Sequence, residues 1–209
     1  VILKGNVTTI DCCKANEKVF FCTCGVGFDA AVSQKFANEK RRGSLTYIKN
    51  TIEEYLSYKP QPYELLVDNQ TIKEKAFLVA CGNASQYGNN AFIAPHANIQ
   101  DGMMDLTILS PFTPLDIAPL AIQLFTKQID RNSKIMTLKA KQVTIIRQQE
   151  GVMHLDGEPV MADATININI IPAALKVFTP EVISFSREVH NLFGEVTRFF
   201  DKQLPYIFK

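Results

Sequence analysis

Strand-length runs crowd the second half of the chain, and no other feature constrains the fold as much. Gln142–Arg147, Val152–Leu155, Pro159–Met161, Thr165–Ile171 and Leu175–Phe178 follow one another with turn signals between them. Upstream, Tyr63–Val67, Ile72–Cys81 and Met103–Leu109 also read as strands, and Asp68-Asn69-Gln70 forms a natural hairpin turn between the first two. Thr8–Cys13 and Lys18–Cys24 flank Lys14-Ala15-Asn16-Glu17 and predict a further hairpin. Many short strands with few long helices argue for a mainly β chain, α+β overall. The expected architecture is an antiparallel β-sandwich with a few helices rather than a parallel α/β sheet.

The helices are predicted by their period. In Leu45–Tyr58 the apolar residues Leu45, Ile48, Ile52, Tyr55 and Leu56 recur at helical spacing, and Lys59-Pro60 ends the run. Asp29–Asn38 is a second helix, with Gly43 between the two. Pro114–Ile129 is a third, with proline at its start. Beyond Glu181 the pattern changes again: Val182, Phe185, Val189, Leu192, Phe193, Val196, Phe199 and Phe200 make an apolar stripe. That predicts a body over 1–180 and an amphipathic helical tail over 181–209. The tail reads first as a helix docked on the body or on a partner domain. Contact with a membrane surface is the other reading, weakened because the polar face is not notably basic.

Composition removes several function classes. Of 209 residues, 46% are hydrophobic and 21% charged, ordinary for a globular protein. Lys and Arg number 22 against 21 Asp and Glu, so no global field favours nucleic acid. No apolar stretch approaches the roughly 20 residues that span a bilayer. The opening Val1-Ile2-Leu3-Lys4 lacks an initiator Met and the features of a signal peptide, as expected of a processed protein or a fragment. Cys12, Cys13, Cys22, Cys24 and Cys81 are odd in number and have neither disulfide-framework nor zinc spacing; they read as small buried residues of a reducing cytoplasm.

Three constellations carry candidate chemistry. Gly25-Val26-Gly27-Phe28-Asp29-Ala30 matches the dinucleotide fingerprint G-x-G-x-x-G/A. That motif also needs a second parallel strand ending in an acid about 20 residues on, and here that position falls inside the Leu45–Tyr58 helix. The glycines therefore predict a tight strand-to-helix turn with Asp29 exposed near the helix start. Pro95–Asp105 contains Asp101-Gly102 just before a strand. Such a loop can offer oxygen ligands to Mg²⁺, but spacing alone favours a plain turn in which Asp101 caps its own backbone. His154-Leu155-Asp156-Gly157-Glu158-Pro159-Val160 places two acids about a glycine in a tight hairpin, where both carboxylates could be aimed at one point. Spacing alone favours a structural hairpin here too, and His96 and His154 read as structural histidines.

Taken in order, seven segments carry a resemblance. They are Ile10-Asp11; Phe20–Ala30; Arg42-Gly43-Ser44-Leu45-Thr46-Tyr47; Asn83–Gly88; Ala94–Asp105; Leu155-Asp156-Gly157-Glu158; and Pro172-Ala173-Ala174-Leu175-Lys176-Val177. Together they resemble the C-terminal domain of bacterial diacylglycerol kinases and the related long-chain-base (sphingosine) lipid kinases, over roughly residues 1–180. The resemblance implies the β-sandwich of the NAD kinase/diacylglycerol kinase-like fold, facing a cleft shared with an N-terminal ATP-binding domain. The Gly-Gly-Asp-Gly-Thr-type loop of that domain does not occur in these residues.

By the same comparison Glu158 is the general base toward a lipid hydroxyl, and Asp156 belongs to the network that organises metal and water. Gly27, Asp29 and Arg42 fall on the substrate side. The run Lys40-Arg41-Arg42 lies near phosphates or is simply a solvated helix end. A structural Mg²⁺ would take the Asp101 carboxylate and the main-chain carbonyls of Asn98 and Met103. The partners implied are a lipid substrate, ATP with Mg²⁺, and the nucleotide-binding domain, without nucleic acid. The implied location is cytoplasmic, with transient peripheral contact at the inner membrane surface; a homodimer is compatible with all of this. Two rival readings are a non-catalytic lipid-binding module of the same fold and a related NAD-kinase-like enzyme with a soluble substrate.

Overall fold

A computed structural model describes residues 2–37, 55 and 57–180. The predicted helix over Leu45–Tyr58 lies outside the described residues apart from positions 55, 57 and 58. Arg42 and the tail beyond residue 180 lie outside them too. By its contacts the chain divides into Thr9–Leu175 and a smaller unit made of Val1–Thr8 and Lys176–Lys209. In the smaller unit the Thr179 amide donates to the Asn6 carbonyl at 3.0 Å, and the Thr8 and Thr179 hydroxyls are 2.9 Å apart.

Twelve strands are described: β1 (Val7–Ala15), β2 (Lys18–Phe20), β3 (Thr23–Gly27), β4 (Gln61–Val67), β5 (Gln70–Ala76), β6 (Leu78–Gly82), β7 (Met104–Leu109), β8 (Ile135–Ala140), β9 (Gln142–Ile146), β10 (Gly151–Leu155), β11 (Glu158–Ala162) and β12 (Thr165–Phe178). They form two six-stranded sheets, in the orders β2-β1-β12-β9-β4-β5 and β11-β10-β3-β6-β7-β8. The hairpin and neighbour pairings are antiparallel, as in β4–β5, β3–β6 and β10–β11. Helix α1 (Phe28–Ala37) leaves β3 directly, and α2 (Ile117–Phe125) follows a 3₁₀ turn at Pro114–Asp116. The expected mainly antiparallel β-sandwich with a few helices is what forms.

Alternation explains which face each strand buries. In β4, Tyr63, Leu65 and Val67 point inward while Leu66 is exposed; in β9, Val143 and Ile145 point inward. These meet Val26, Val79, Leu106 and Met153 of the other sheet in the central core. β6 and β7 are buried along their whole length. Their other face is covered by a second cluster in which Phe77, Leu78, Ala80 and Leu109 pack with Leu120 of α2. Full burial of a typical large aliphatic side chain stabilises by about 1.5–3 kcal/mol, so these two layers hold the sandwich together.

Several boundaries differ from the sequence reading. The expected strand Lys18–Cys24 breaks after Phe20, and its halves lie in different sheets. Ile72–Cys81 likewise breaks at Phe77, whose ring packs against Phe28 (4.6 Å) and Phe112 (4.6 Å). Thr165–Ile171 and Leu175–Phe178 form one strand that passes through Ala173 at φ 52°. β8 escaped the sequence reading because its exposed Met136 and half-buried Leu138 blur the alternation.

Candidate functional site

The hairpin joining β10 to β11 turns on two residues, Asp156 (φ 50°) and Gly157 (φ 86°). Positive φ at both central positions gives the primed turn whose twist matches antiparallel strands. The Asp156 carboxylate reaches across to the break between β2 and β3. Its Oδ2 accepts from the Phe21 amide at 2.8 Å, and its Oδ1 accepts from the amides of Cys22 (2.7 Å) and Thr23 (3.0 Å). The Asp156 amide in turn donates to the Thr23 carbonyl at 2.8 Å. One side chain thus satisfies three backbone donors where the chain crosses from one sheet to the other. Both of its oxygens are occupied by main chain.

Glu158 differs. It is exposed, sits opposite Leu155 in the ladder, and has no partner among the described residues. A carboxylate free of partners at the rim of a rigid hairpin can accept a proton or contact an incoming ligand.

A second group forms where α1 begins. Gly27 has φ 105°, and a Cβ there would lie 2.7 Å from the Phe77 carbonyl, so this glycine is needed to make the turn into α1. Asp29, expected to be exposed, is not. Its side chain is 9% exposed, and its Oδ2 accepts from the Tyr87 hydroxyl (2.8 Å) and lies 3.1 Å from His154 Nε2. Its Oδ1 accepts from the Ala30 amide at 2.8 Å. Burial becomes tolerable because the carboxylate is so fully bonded. Ladder register sets His154 opposite Gly25, whose missing side chain leaves the room for Asp29 to approach.

His154 is buried, as a structural histidine should be, yet among the described residues its Nδ1 has no partner, and neither does Oδ1 of buried Asn83. The Asn83 Nδ2 donates to the carbonyls of Asp11 (3.0 Å) and Phe21 (2.8 Å). Asn83 therefore braces the same crossing that Asp156 clamps.

The third group is the 98–105 loop. Asp101 does cap its own backbone: Oδ1 accepts from the Met103 amide at 3.0 Å. Its Oδ2 pairs with Lys139 Nζ at 2.9 Å, and the same ammonium lies 2.9 Å from Asp105 Oδ2. The Asn98 carbonyl faces the Asp101 amide at 3.4 Å. Asp11, 3% exposed, ties the loop down from below, accepting from the Gly102 amide (2.8 Å) and from the Ala173 amide (2.7 Å).

Burial works to lower the Lys139 pKa, but hydrogen bonds and charge from Asp105 and Asp101 outweigh it and hold the group above its ordinary range. The expected Mg²⁺ ligands are thus placed together, but with an ammonium already on the carboxylate they do not fit a divalent ion. Among the described residues no three metal-ligating side chains cluster.

A separate cleft of about 270 Å³ lies beside Gly27, Ala31, Tyr58, Tyr63 and Gly151. Its wall includes Arg147, whose guanidinium donates to the carbonyls of Asp163, Val152, Gly151 and Ala162. That arginine fastens strand ends, spending four of its five N–H groups on main-chain carbonyls.

The family model described as "YegS C-terminal NAD kinase beta sandwich-like domain" matches residues 22–179. The chain belongs to that family. The probable lipid kinase YegS of Salmonella arizonae is 26% identical over 181 residues, covering 85% of this chain and 59% of the relative. Its namesake in Escherichia coli O1:K1 / APEC gives the same figures. A diacylglycerol kinase crystal structure from Bacillus anthracis superposes with a TM-score of 0.62 at 19% identity, over 87% of this chain and 58% of that one. The family's fold is therefore shared, and the chain spans about 59% of the length of the curated relatives it matches.

Of the residues read from sequence, Asp156 and Glu158 share one hairpin, Gly27 and Asp29 share one turn, and Asp101, Asn98 and Met103 share one loop. Arg42 lies outside the described residues. Sequence reasoning gave no role to Asp11, Asn83, Tyr87 or Lys139. The one signal available was polar identity inside apolar runs, as for Asp11 in Thr9-Ile10-Asp11-Cys12-Cys13.

Proposed function

We propose that this chain is the acceptor-side domain of an ATP-dependent lipid kinase that phosphorylates a diacylglycerol-like hydroxyl. Membership of the YegS family supports the reaction class. The observation that carries the residue assignment is the contrast in one turn: both acids are exposed, but the Asp156 carboxylate accepts from three amides while the Glu158 carboxylate has no partner among the described residues. Glu158 is the base. It takes the proton of the lipid hydroxyl as the hydroxyl oxygen bonds to the γ-phosphorus and the bond to the β-phosphate oxygen breaks, releasing ADP. Proton transfer of this kind contributes about 10²–10⁴-fold in rate.

Asp156 positions that base by fixing the hairpin against the β2–β3 crossing. Asp29, Tyr87 and His154 hold the start of α1 and form the floor toward the acceptor. Phosphoryl transfer depends mainly on positioning and charge neutralisation. The nucleotide and the Mg²⁺ that neutralises its phosphates belong to an N-terminal domain facing this one. The protein works in the cytoplasm in transient contact with the inner membrane surface; among the described residues no helix is long and apolar enough to cross a membrane. The test is transfer of label from [γ-³²P]ATP to a panel of hydroxylated lipids by the longer protein and by this chain alone. Labelling by the longer protein only is expected. No lipid labelled by either would overturn the reading.

A further inference from the structure

We propose that the Lys139 ammonium is the built-in counter-ion of the 98–105 loop, bridging Asp101 and Asp105 where a divalent metal would otherwise sit. The observation is independent of the kinase reading. Asp105 is 7% exposed, and a carboxylate that far from water needs a compensating charge. The ladder supplies one by register: Asp105 on β7 stands directly opposite Lys139 on β8. From there the lysine also reaches Asp101, so a single Nζ lies 2.9 Å from an oxygen of each acid.

The second oxygen of Asp101 and two loop amides are engaged as well. Asp101 Oδ1 receives the Met103 amide, and Asp11 Oδ2 receives the Gly102 amide. Mg²⁺ requires near-octahedral oxygens at about 2.1 Å. An ion bound to Asp101 would then stand within a few ångströms of Nζ, and two like charges that close in a partly buried site repel strongly. Lysine and metal are thus mutually exclusive here, and the register of β7 with β8 decides for the lysine.

Thermal unfolding of the chain in millimolar MgCl₂ and in EDTA, with Mn²⁺ titration followed by electron paramagnetic resonance, tests this. The wild type is expected to melt within about 1 °C in the two buffers and to show no bound Mn²⁺. Lys139→Met, which leaves Asp105 unpaired, is expected to melt about 5 °C lower or more, whereas Lys139→Arg keeps most of the stability. Mn²⁺ bound by the wild type and lost in Asp101→Asn would overturn the proposal, as would an unchanged melting temperature for Lys139→Met. If Lys139→Met does not fold, the wild-type Mn²⁺ titration decides alone, absence of binding supporting the proposal and Asp101-dependent binding refuting it.

Discussion

Replacing Asp156 by Asn separates its two conceivable jobs. Asparagine tolerates the left-handed backbone (φ 50°) of this turn, so the hairpin itself is not strained. What changes is the carboxylate that accepts from Phe21, Cys22 and Thr23. An amide group keeps one acceptor oxygen and turns a donor toward at least one of these N–H groups. Hydrogen bonds to a charged group contribute about 1.5–3 kcal/mol each when sheltered. This turn is partly open to water, so the loss is discounted to about 2 kcal/mol in all. For a chain of this size that corresponds to about 4–8 °C in melting temperature, read by circular dichroism or calorimetry. Glu158→Gln, at an exposed and unpartnered position, should stay within about 0.5 kcal/mol of wild type. If Asp156→Asn melts with the wild type, or Glu158→Gln falls equally far, the division between fastener and free acid is wrong.

Three further outcomes follow from named geometry. Gly27→Ala must meet the Phe77 carbonyl at 2.7 Å while holding φ 105°, and should cost about 2 kcal/mol or more in chemical denaturation. Among the cysteines, exposed Cys22 should react first with a thiol reagent, and Cys13 and Cys24 only on unfolding, since burial above all pushes both thiols far up; equal rates would refute this. Asp116 is held below the usual carboxylate range by the Thr113 amide and then by its hydroxyl. Its capping contribution is therefore complete above the ordinary carboxylate pKa and lost as pH falls through the depressed one, which carboxyl NMR titration of Asp116 would show.

The fold was legible where period alone decides. Tyr63, Leu65 and Val67 alternate with exposed or half-buried neighbours, and the helix beginning at Asp29 was recovered within a residue of its observed limits. Periodicity does not say which sheet a strand joins, however. Ile72–Cys81 is an unbroken run in sequence, and only the aromatic packing at Phe77 splits it between sheets. The site shows the same limit. Asp156 and Glu158 were recognisable as a pair, but the role of Asp156 depends on amides 133 to 135 residues away. Asp29 reads as an exposed helix-start acid until Tyr87 and His154 arrive from distant segments to bury it. Lys139 belongs to a strand the sequence reading missed, so its pairing with Asp101 and Asp105 had no local trace.

Turnover of Glu158→Gln tests the account most directly. In a protein that carries this chain together with the nucleotide-binding domain proposed for it, single-turnover transfer from ATP to diacylglycerol should fall about 10²-fold or more while the melting temperature holds. Transfer within a few-fold of wild type, by a variant that is equally folded, would contradict the assignment of Glu158 as the base.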